Sequence, residues 1–357
     1  MKIVTILGAR PQFIKAAALS RAIASRSDVQ EVIVHTGQHY DDNMSDVFFR
    51  QMDIPLPDYQ LNVASSFHGD MTGRMMMGIE PVLLKEKPDG VVVYGDTNST
   101  LAGALTAKKI HLKVAHVEAG LRSFNMSMPE EINRILTDRI ADLLFCPSRD
   151  ALNNLQREGF DHFACAVHEV GDIMKDVAVY YKDRGVKPVF PLPESFVLAT
   201  LHRAENTDDA GRLKRLVHAF NDISMETPVV LPLHPRTRAR LDKLSLPLNK
   251  SLIVTEPVGY LEMVYLLTRC GLVITDSGGL QKEAYFFGRH CITVRDQTEW
   301  TELVTHGYNT LAGVDYDAIM AARNQFFARE IVSNEGLYGI GRTAERILDT
   351  MAGTGGF

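Results

Sequence analysis

Residues 271–283 have the sequence GLVITDSGGLQKE, in which a short apolar run is followed by a turn of small residues and a helix-like stretch. A run as apolar as Gly271–Thr275 predicts a strand buried on both faces, which is typical of a parallel sheet. The turn after it lies at the carboxyl end of the strand, where open parallel sheets bind their ligands. This stretch therefore predicts an α/β fold with a ligand site at a sheet edge.

The same alternation of apolar runs and helical stretches extends along the whole chain in two series. The first series predicts the strands Met1–Leu7, Glu31–His35, Gly90–Tyr94, Lys113–Val117 and Asp142–Cys146. The second predicts Phe196–Thr200, Pro228–Leu233, Ser251–Thr255, Gly271–Thr275 and Cys291–Val294. Two such series predict two Rossmann-like, doubly wound domains. We expect an N-terminal domain over residues 1–171, to which a C-terminal helix at 343–357 returns, and a C-terminal domain over residues 172–342. The segment 185–193, which contains three prolines, is an alternative position for the domain boundary.

Composition narrows the class of protein. The 357 residues exceed the usual size of one hydrophobic core, and 38 basic against 44 acidic side chains leave a formal charge of −6. A mildly acidic chain without a basic run argues against nucleic acid or an anionic membrane as a partner. Four cysteines without CxxC spacing, and an N-terminus without a signal core, predict a cytoplasmic protein with reduced thiols.

The first strand leads into a helix through Gly8–Lys15, which is not the GxGxxG pattern of a dinucleotide site. Arg10 and Lys15 flank the start of that helix, where free N–H groups and the helix dipole favour an anion. The alternative is a loop arginine and a solvated helix lysine. We expect no cofactor or metal at this turn.

Three carboxylates follow strands or begin a helix on one edge of the first predicted sheet. Asp96 follows the strand Gly90–Tyr94, although it also suits the N-cap of the next helix. Glu118 ends a buried strand, where a carboxylate needs a partner or a function, and Arg122 is a candidate ion-pair partner. Glu130 fits a capping box with Ser127. Grouped together, the three carboxylates predict separate acid and base roles.

Polar residues also follow the strands of the second half. His202 and His234 each end a strand beside an arginine, which favours an anionic ligand over two hydrogen-bonding histidines. In the turn Ser277–Gly279, glycines let the backbone approach a diphosphate at a helix N-terminus, and Glu283 is placed to accept from ribose hydroxyls. The alternative is a plain turn between strand and helix.

Eight motifs in order make the chain resemble the non-hydrolysing UDP-N-acetylglucosamine 2-epimerases over essentially its whole length. They are GARPQFIK (8–15), HTGQHY (35–40), YGDTNSTLAG (94–103), HVEAGLRS (116–123), MPEEINR (128–134), HRAEN (202–206), LHPR (233–236) and TDSGGLQKEA (275–284). The resemblance implies a glycosyltransferase-B-type fold, a homodimer, and a UDP-sugar held in a cleft between the two domains.

The resemblance also carries roles over to matching positions of this chain. Catalytic roles are implied for Asp96, Glu118, Glu130 and His202. Contacts with the UDP-sugar are implied for Arg10, Lys15, Gln38, His39, His234, Ser277, Gly278, Gly279 and Glu283. The implied route is elimination of UDP to a glycal and re-addition on the other face, without a hydride carrier or metal; which carboxylate is the base stays open.

Within the family, GARPQFIKAA (8–17) and RDQTEW (295–300) resemble a subgroup that epimerises UDP-2,3-diacetamido-2,3-dideoxyglucuronic acid for O-antigen and lipopolysaccharide synthesis. Such a substrate requires one more cation, for which Arg74, Arg203 and Lys282 are candidates. The alternative substrate pair is UDP-GlcNAc and UDP-ManNAc. A glycosyltransferase of the same fold, or a UDP-sugar sensor without catalytic activity, would also carry a diphosphate site of this kind.

Overall fold

The computed structural model describes residues 1–37, 54–65, 67–329, 331, 335–353 and 356–357, with only the backbone of Arg10 and Glu335. The chain divides into two compact units. The first is Met1–Val177 with Glu335–Phe357, and the second is Ala178–Asn334. Among the described residues, no helix is long and apolar enough to cross a membrane.

The first unit alternates strands and helices from its first residues. Its strands are β1 (Lys2–Leu7), β2 (Gln30–His35), β3 (Tyr59–Gln60), β4 (Gly90–Tyr94), β5 (Lys113–Val117), β6 (Leu143–Cys146) and β7 (Ala166–Glu169). Its helices are α1 (Arg10–Ala24), α2 (His68–Glu86), α3 (Asn98–Lys109), α4 (Pro129–Ile140), α5 (Arg149–Arg157) and α6 (Ile173–Tyr181), which runs past the unit boundary, and later α14 (Glu335–Tyr338) and α15 (Thr343–Ala352).

The strands described in this unit form one seven-stranded parallel sheet in the order β3-β2-β1-β4-β5-β6-β7. The strand order reverses between β1 and β4, and such a switch point leaves a crevice outside the carboxyl ends of the two strands. Gly8 and Gly95, which follow β1 and β4, therefore lie where a ligand site is expected. The apolar run of β4 is fully buried, as a central parallel strand requires.

The second unit repeats this plan. Its strands are β8 (Val197–Thr200), β9 (Val229–Pro232), β10 (Leu252–Thr255), β11 (Leu272–Thr275), β12 (Cys291–Thr293) and β13 (Asn309–Leu311). Its helices are α7 (Ala204–Thr207), α8 (Ala210–Glu226), α9 (Pro235–Lys243), α10 (Tyr260–Leu267), α11 (Gly278–Phe286), α12 (Thr301–Thr305) and α13 (Tyr316–Phe326).

Across the described part of the second unit, six parallel strands pair in the order β10-β9-β8-β11-β12-β13. The order reverses between β8 and β11, so residues 201–206 and 276–279 follow the two strands that flank this switch point. Leu216, Phe220 and Ile274 belong to the apolar core that supports this sheet.

The predicted α/β class is confirmed, and all ten predicted strands are present within two residues of their predicted ends. The prediction missed β3, β7 and β13. All three strands lie at a sheet edge, where a strand does not need to be apolar on both faces. The four residues of β7 are all half-buried, so the strand lacks the continuous apolar run that a central strand needs.

Helix α15 is part of the first unit, where it packs against α1. Arg26 donates to Asp349 over 2.9 Å, and Asp176 accepts from the first two N–H groups of α15, Thr343 (3.0 Å) and Ala344 (2.7 Å). Asp176 thereby satisfies donors that a helix start leaves without internal partners.

The four cysteines are free thiols.

Candidate active site

Gln12 organises the turn that follows β1. Its side-chain oxygen accepts from the backbone N–H groups of Gly8 (2.8 Å) and Ala9 (3.0 Å). Its amide nitrogen donates to the carbonyl of Tyr94 (2.9 Å) and to Thr100 (3.0 Å). The turn after β1 is thus tied to the end of β4, across the switch point of the sheet. Sequence reasoning missed this residue, although a glutamine in the first turn of the helix was the available signal.

Glu118 and Lys15 form an ion pair at this edge of the sheet. Both side chains are largely buried, and Gly95 lies against them, since a Cβ at Gly95 would be 3.2 Å from the Glu118 carboxylate and from the Lys15 ammonium. The φ angle of Glu118 is 74°, a left-handed conformation that costs a non-glycine residue about 1 kcal/mol or more. Strain of this kind is typical of functional positions. The alternative pairing with Arg122 is wrong, because Arg122 contacts Asp138 and Glu158.

Asp96 is held by helix α4. Its carboxylate pairs with Arg134, and its backbone carbonyl accepts from Asn133 over 2.9 Å. The N-cap alternative for Asp96 is wrong, because Thr97 caps α3 by accepting from the N–H of Thr100. Asp96 therefore lies just outside the helix, with its carboxylate paired to a guanidinium.

Glu130 lies in the first turn of α4, and it is half-buried. The capping box with Ser127 is wrong: Met128 is the N-cap, and the Ser127 hydroxyl instead donates to Asn125 over 2.6 Å. Arg134, the partner of Asp96, lies one turn beyond Glu130 on the same face of the helix. In the described part of the chain, the Glu130 carboxylate has no hydrogen bond or ion pair. The first unit thus brings Lys15, Asp96, Glu118 and α4 to one edge.

The substitution Glu130→Gln separates a chemical role from a structural one. Because Glu130 is not a cap, its replacement is expected to leave the melting temperature unchanged, whereas loss of a cap would cost about 1 kcal/mol. Loss of a proton-transfer group is expected to lower kcat by about 10²-fold. Ser127→Ala is the control and should change neither quantity. A lower melting temperature with normal turnover would contradict a role in catalysis.

In the second unit, the buried Asp276 holds the segment that carries His202. Its carboxylate accepts from the backbone N–H groups of His202 (3.1 Å) and Arg203 (2.9 Å), and from the side-chain amide of Asn206 (3.3 Å). Asp276 belongs to the motif TDSGGLQKEA (275–284), whose pattern did not predict this role. Asp276 follows β11, and its carboxylate binds the segment that follows β8. It thereby connects the two strands that flank the switch point.

His202 is partly exposed, at 44% of its side chain, and its Nδ1 lies 3.4 Å from Asp276. Partial burial, together with the positive charge of Arg203 and with His234, lowers the pKa of His202 against the opposing effect of Asp276. The imidazole is therefore mostly neutral at pH 7, with one ring nitrogen as a donor and the other as an acceptor. His234 is an exposed N-cap whose Nδ1 accepts from the N–H of Arg236 over 3.2 Å.

The turn Ser277–Gly279 begins α11, and Trp300 contacts its backbone. Trp300 donates its indole N–H to the carbonyl of Gly278 over 2.9 Å, and the Lys282 ammonium lies 3.9 Å from the Trp300 ring centre. A Cβ at Gly279 would meet no atom within 4 Å, so the backbone there faces open space. Glu283 is buried one turn into the helix. This arrangement leaves the start of α11 open to an anion.

The side chain of Arg10 and the residues Gln38 and His39 lie outside the described part of the structure.

Comparison with known proteins identifies the group to which this architecture belongs. The family model described as UDP-N-acetylglucosamine 2-epimerase matches residues 21–352. The chain belongs to the UDP-N-acetylglucosamine 2-epimerase family. It is accordingly an isomerase acting on UDP-sugars, and the family predicted from the eight motifs is confirmed.

Individual relatives cover nearly the whole chain. A UDP-2,3-diacetamido-2,3-dideoxy-D-glucuronate 2-epimerase of Pseudomonas aeruginosa is 56% identical over 99% of both chains. The structure of Methanocaldococcus jannaschii UDP-GlcNAc 2-epimerase in complex with UDP-GlcNAc and UDP has a TM-score of 0.86, with 41% identity over 99% of both chains. The Neisseria meningitidis UDP-GlcNAc 2-epimerase bound to UDP-GlcNAc has a TM-score of 0.89, with 29% identity over 99% of this chain and 100% of that one.

Proposed function

We propose that this chain interconverts UDP-2,3-diacetamido-2,3-dideoxyglucuronic acid and its manno epimer at C2. The observation that carries the proposal is the 56% identity with the Pseudomonas aeruginosa relative of that name, which extends over 99% of each chain. The motifs GARPQFIKAA and RDQTEW, which pointed to this subgroup, support it. We place the reaction in the synthesis of a bacterial surface polysaccharide such as O-antigen.

The chemistry requires an indirect route, because C2 of such a sugar has no adjacent carbonyl to acidify its proton. We propose that a base removes the C2 proton, the C–H electron pair forms the C1=C2 bond, and the C1–O bond breaks with its pair leaving on UDP. UDP then adds back at C1 while a proton is delivered to the opposite face of C2. Atoms and charge balance without a redox partner.

The first unit supplies the groups for proton transfer in this proposal. Glu118 pairs with Lys15 and Asp96 pairs with Arg134, and we assign the base to one of these two carboxylates. Glu130, without an ion pair among the described residues, is suited to carry the proton that is returned. We propose that Lys15, whose ammonium pairs with Glu118, also meets the departing diphosphate.

The second unit supplies the UDP site in this proposal. The open backbone at Gly279 and the start of α11 would meet the diphosphate, with Ser277 and Gly278 beside them. Glu283 would accept from the ribose hydroxyls. His202, neutral and with its backbone N–H held by Asp276, would donate its ring N–H to the leaving phosphate oxygen. Contacts from His234, Arg10, Gln38 and His39 remain predictions.

Substrate preference tests the proposal directly. We expect the diacetamido uronic acid to be turned over at least about tenfold better than UDP-GlcNAc in kcat/KM, equivalent to about 1.4 kcal/mol, because a carboxylate in the site requires a cation. NMR of each UDP-sugar with the enzyme alone gives both rates. Equal or faster turnover of UDP-GlcNAc would instead support UDP-GlcNAc and UDP-ManNAc as the substrate pair.

Arg203 is the best placed of the three candidate cations. Its guanidinium lies 3.6 Å from where a Cβ of Gly278 would be, and it has no ion pair among the described residues. Arg74 pairs with Asp70 on its own helix, and Lys282 packs on Trp300. Arg203→Met should therefore remove the preference for the uronic acid. Arg238→Met, which removes an exposed arginine paired with Glu256, is the control.

We also propose a homodimer in the cytoplasm, the compartment that suits four free thiols. Exposed apolar side chains on α2 and α4 support the dimer: Met77 (69%), Leu84 (56%), Ile132 (40%) and Leu136 (47%). Sedimentation equilibrium should give twice 39.8 kDa, and Leu136→Glu should shift the protein toward the monomer. A monomeric wild-type protein at micromolar concentration would contradict this assembly.

A further inference from the structure

His116 is fully buried near the end of β5, and each of its ring nitrogens faces an oxygen atom. Nδ1 lies 2.7 Å from the carboxylate of Asp138, and Nε2 lies 2.7 Å from the backbone carbonyl of Gly95. A carbonyl oxygen can only accept, so Nε2 must carry a proton. The ring is thus bonded to an oxygen atom through each of its two nitrogens.

The surroundings of Asp138 keep that carboxylate ionised. Its second oxygen accepts from Arg122 (2.7 Å) and from the backbone N–H of Gly120 (3.1 Å). Burial opposes ionisation, but the contacts with His116 and Arg122 outweigh it and hold the pKa of Asp138 below its ordinary value. Arg122 also binds Glu158 through two hydrogen bonds of 2.7 and 2.8 Å. Arg122 therefore pairs with the buried Asp138 on one side and with the more exposed Glu158 on the other.

This buried pair reaches both strand ends that carry the candidate catalytic carboxylates. Gly95, which accepts from His116, directly precedes Asp96, and its N–H donates to the carbonyl of Val117 over 2.9 Å. His116 itself lies two residues before Glu118, whose backbone is held in a left-handed conformation. A single side chain thus connects the segments after β4 and β5.

We propose that His116, bonded to both Asp138 and Gly95, is a positioning residue that sets the relative placement of Asp96 and Glu118 for epimerisation. The proposal rests on the proposed catalytic roles of those two carboxylates. The imidazole touches neither of them; it acts by holding the carbonyl of Gly95. Positional errors of about 1 Å in such a site can cost about 10²-fold in rate.

The first test is His116→Gln, whose single amide nitrogen cannot reach both oxygens. We expect kcat to fall by about 10-fold to 10²-fold while the Kd for UDP, assigned to the second unit, stays within twofold. His290→Gln is the matched control, since it removes a buried imidazole bonded to Thr310 in the second unit. Normal kcat in His116→Gln, or an equal loss in His290→Gln, would overturn the proposal.

Asp138→Asn tests the bond to Gly95 separately. Its amide can donate to Nδ1 while its oxygen still accepts from Arg122, so a neutral His116 would keep its bond to Gly95. We therefore expect a smaller loss of kcat than in His116→Gln. A loss as large as that of His116→Gln would show that the bond to Gly95 is not what sustains turnover.

Should His116→Gln fail to fold, ¹⁵N NMR of histidine-labelled wild-type enzyme keeps the proposal testable, with the His116 signals identified from Asp138→Asn. The Nε2 of His116, which faces the carbonyl of Gly95, should carry a proton. An unprotonated Nε2 would overturn the proposal. This readout needs no substrate, so a protein that did not epimerise the proposed UDP-sugar would refute the proposed function while leaving this result interpretable.

Discussion

Replacing Glu118 with glutamine is expected to lower kcat by about 10²-fold or more while the protein still binds UDP. The amide keeps the size of the side chain but cannot accept a proton. Asp96→Asn should have an effect of the same order, because its carboxylate lies at the neighbouring strand end. Turnover is measured by NMR and UDP binding by calorimetry.

Two matched variants separate chemistry from the loss of an ion pair. Glu86→Gln removes a partly buried carboxylate that pairs with Lys2 at 2.7 Å, and Asp142→Asn removes one that pairs with Lys108 at 2.8 Å. Both lie in the first unit, outside the segments after β4 and β5, and both should keep normal kcat. Near-normal rates in Glu118→Gln or Asp96→Asn would contradict a catalytic role for that residue and indicate a structural one.

Asp276→Asn is expected to reduce kcat/KM by about 10-fold to 10²-fold, although Asp276 has no assigned contact with substrate. Its two oxygens accept from His202, Arg203 and Asn206, and an amide would turn a donor toward donors. The segment carrying His202 would then shift relative to the turn Ser277–Gly279. Steady-state kinetics with the UDP-sugar measures this loss.

The control for this variant is Asp222→Asn, on α8 of the same unit, where the carboxylate accepts from Tyr316 over 2.6 Å. It should lose little activity. Assays well below the melting temperature of each variant separate misplacement of His202 from unfolding. If Asp276→Asn kept wild-type kcat/KM, the segment after β8 would not depend on this carboxylate.

The central strands could be predicted from the sequence because burial on both faces demands an uninterrupted apolar run, as in Val91–Val93. An edge strand such as β7 is harder to predict, because it has a neighbouring strand on one side only. Polar side chains such as His168 and Glu169 are tolerated there and interrupt the apolar run. The carboxyl ends of these strands could be predicted equally well from the sequence. Asp96 and Glu118 follow or end such strands, which is why both could be chosen as candidate site residues.

The partners of those residues could not be predicted, because pairing depends on which helix returns to which strand end. Arg134 reaches Asp96 across 38 residues, and Lys15 reaches Glu118 across 103. Local patterns also misled: Ser127 and Glu130 have capping-box spacing, yet the helix starts after Met128 and the hydroxyl binds Asn125. Spacing along the chain specifies a possible bond, and the tertiary fold decides whether it forms.

The measurement closest to the central claim is NMR of UDP-2,3-diacetamido-2,3-dideoxyglucuronic acid with the enzyme alone in D₂O. Removal and return of the C2 proton predicts the manno epimer with deuterium at C2, formed without any acceptor sugar. Deuterium-free epimer would contradict the proton-transfer route. Binding without conversion would indicate a sensor, and turnover that required an added acceptor would indicate a glycosyltransferase; either result would contradict the account.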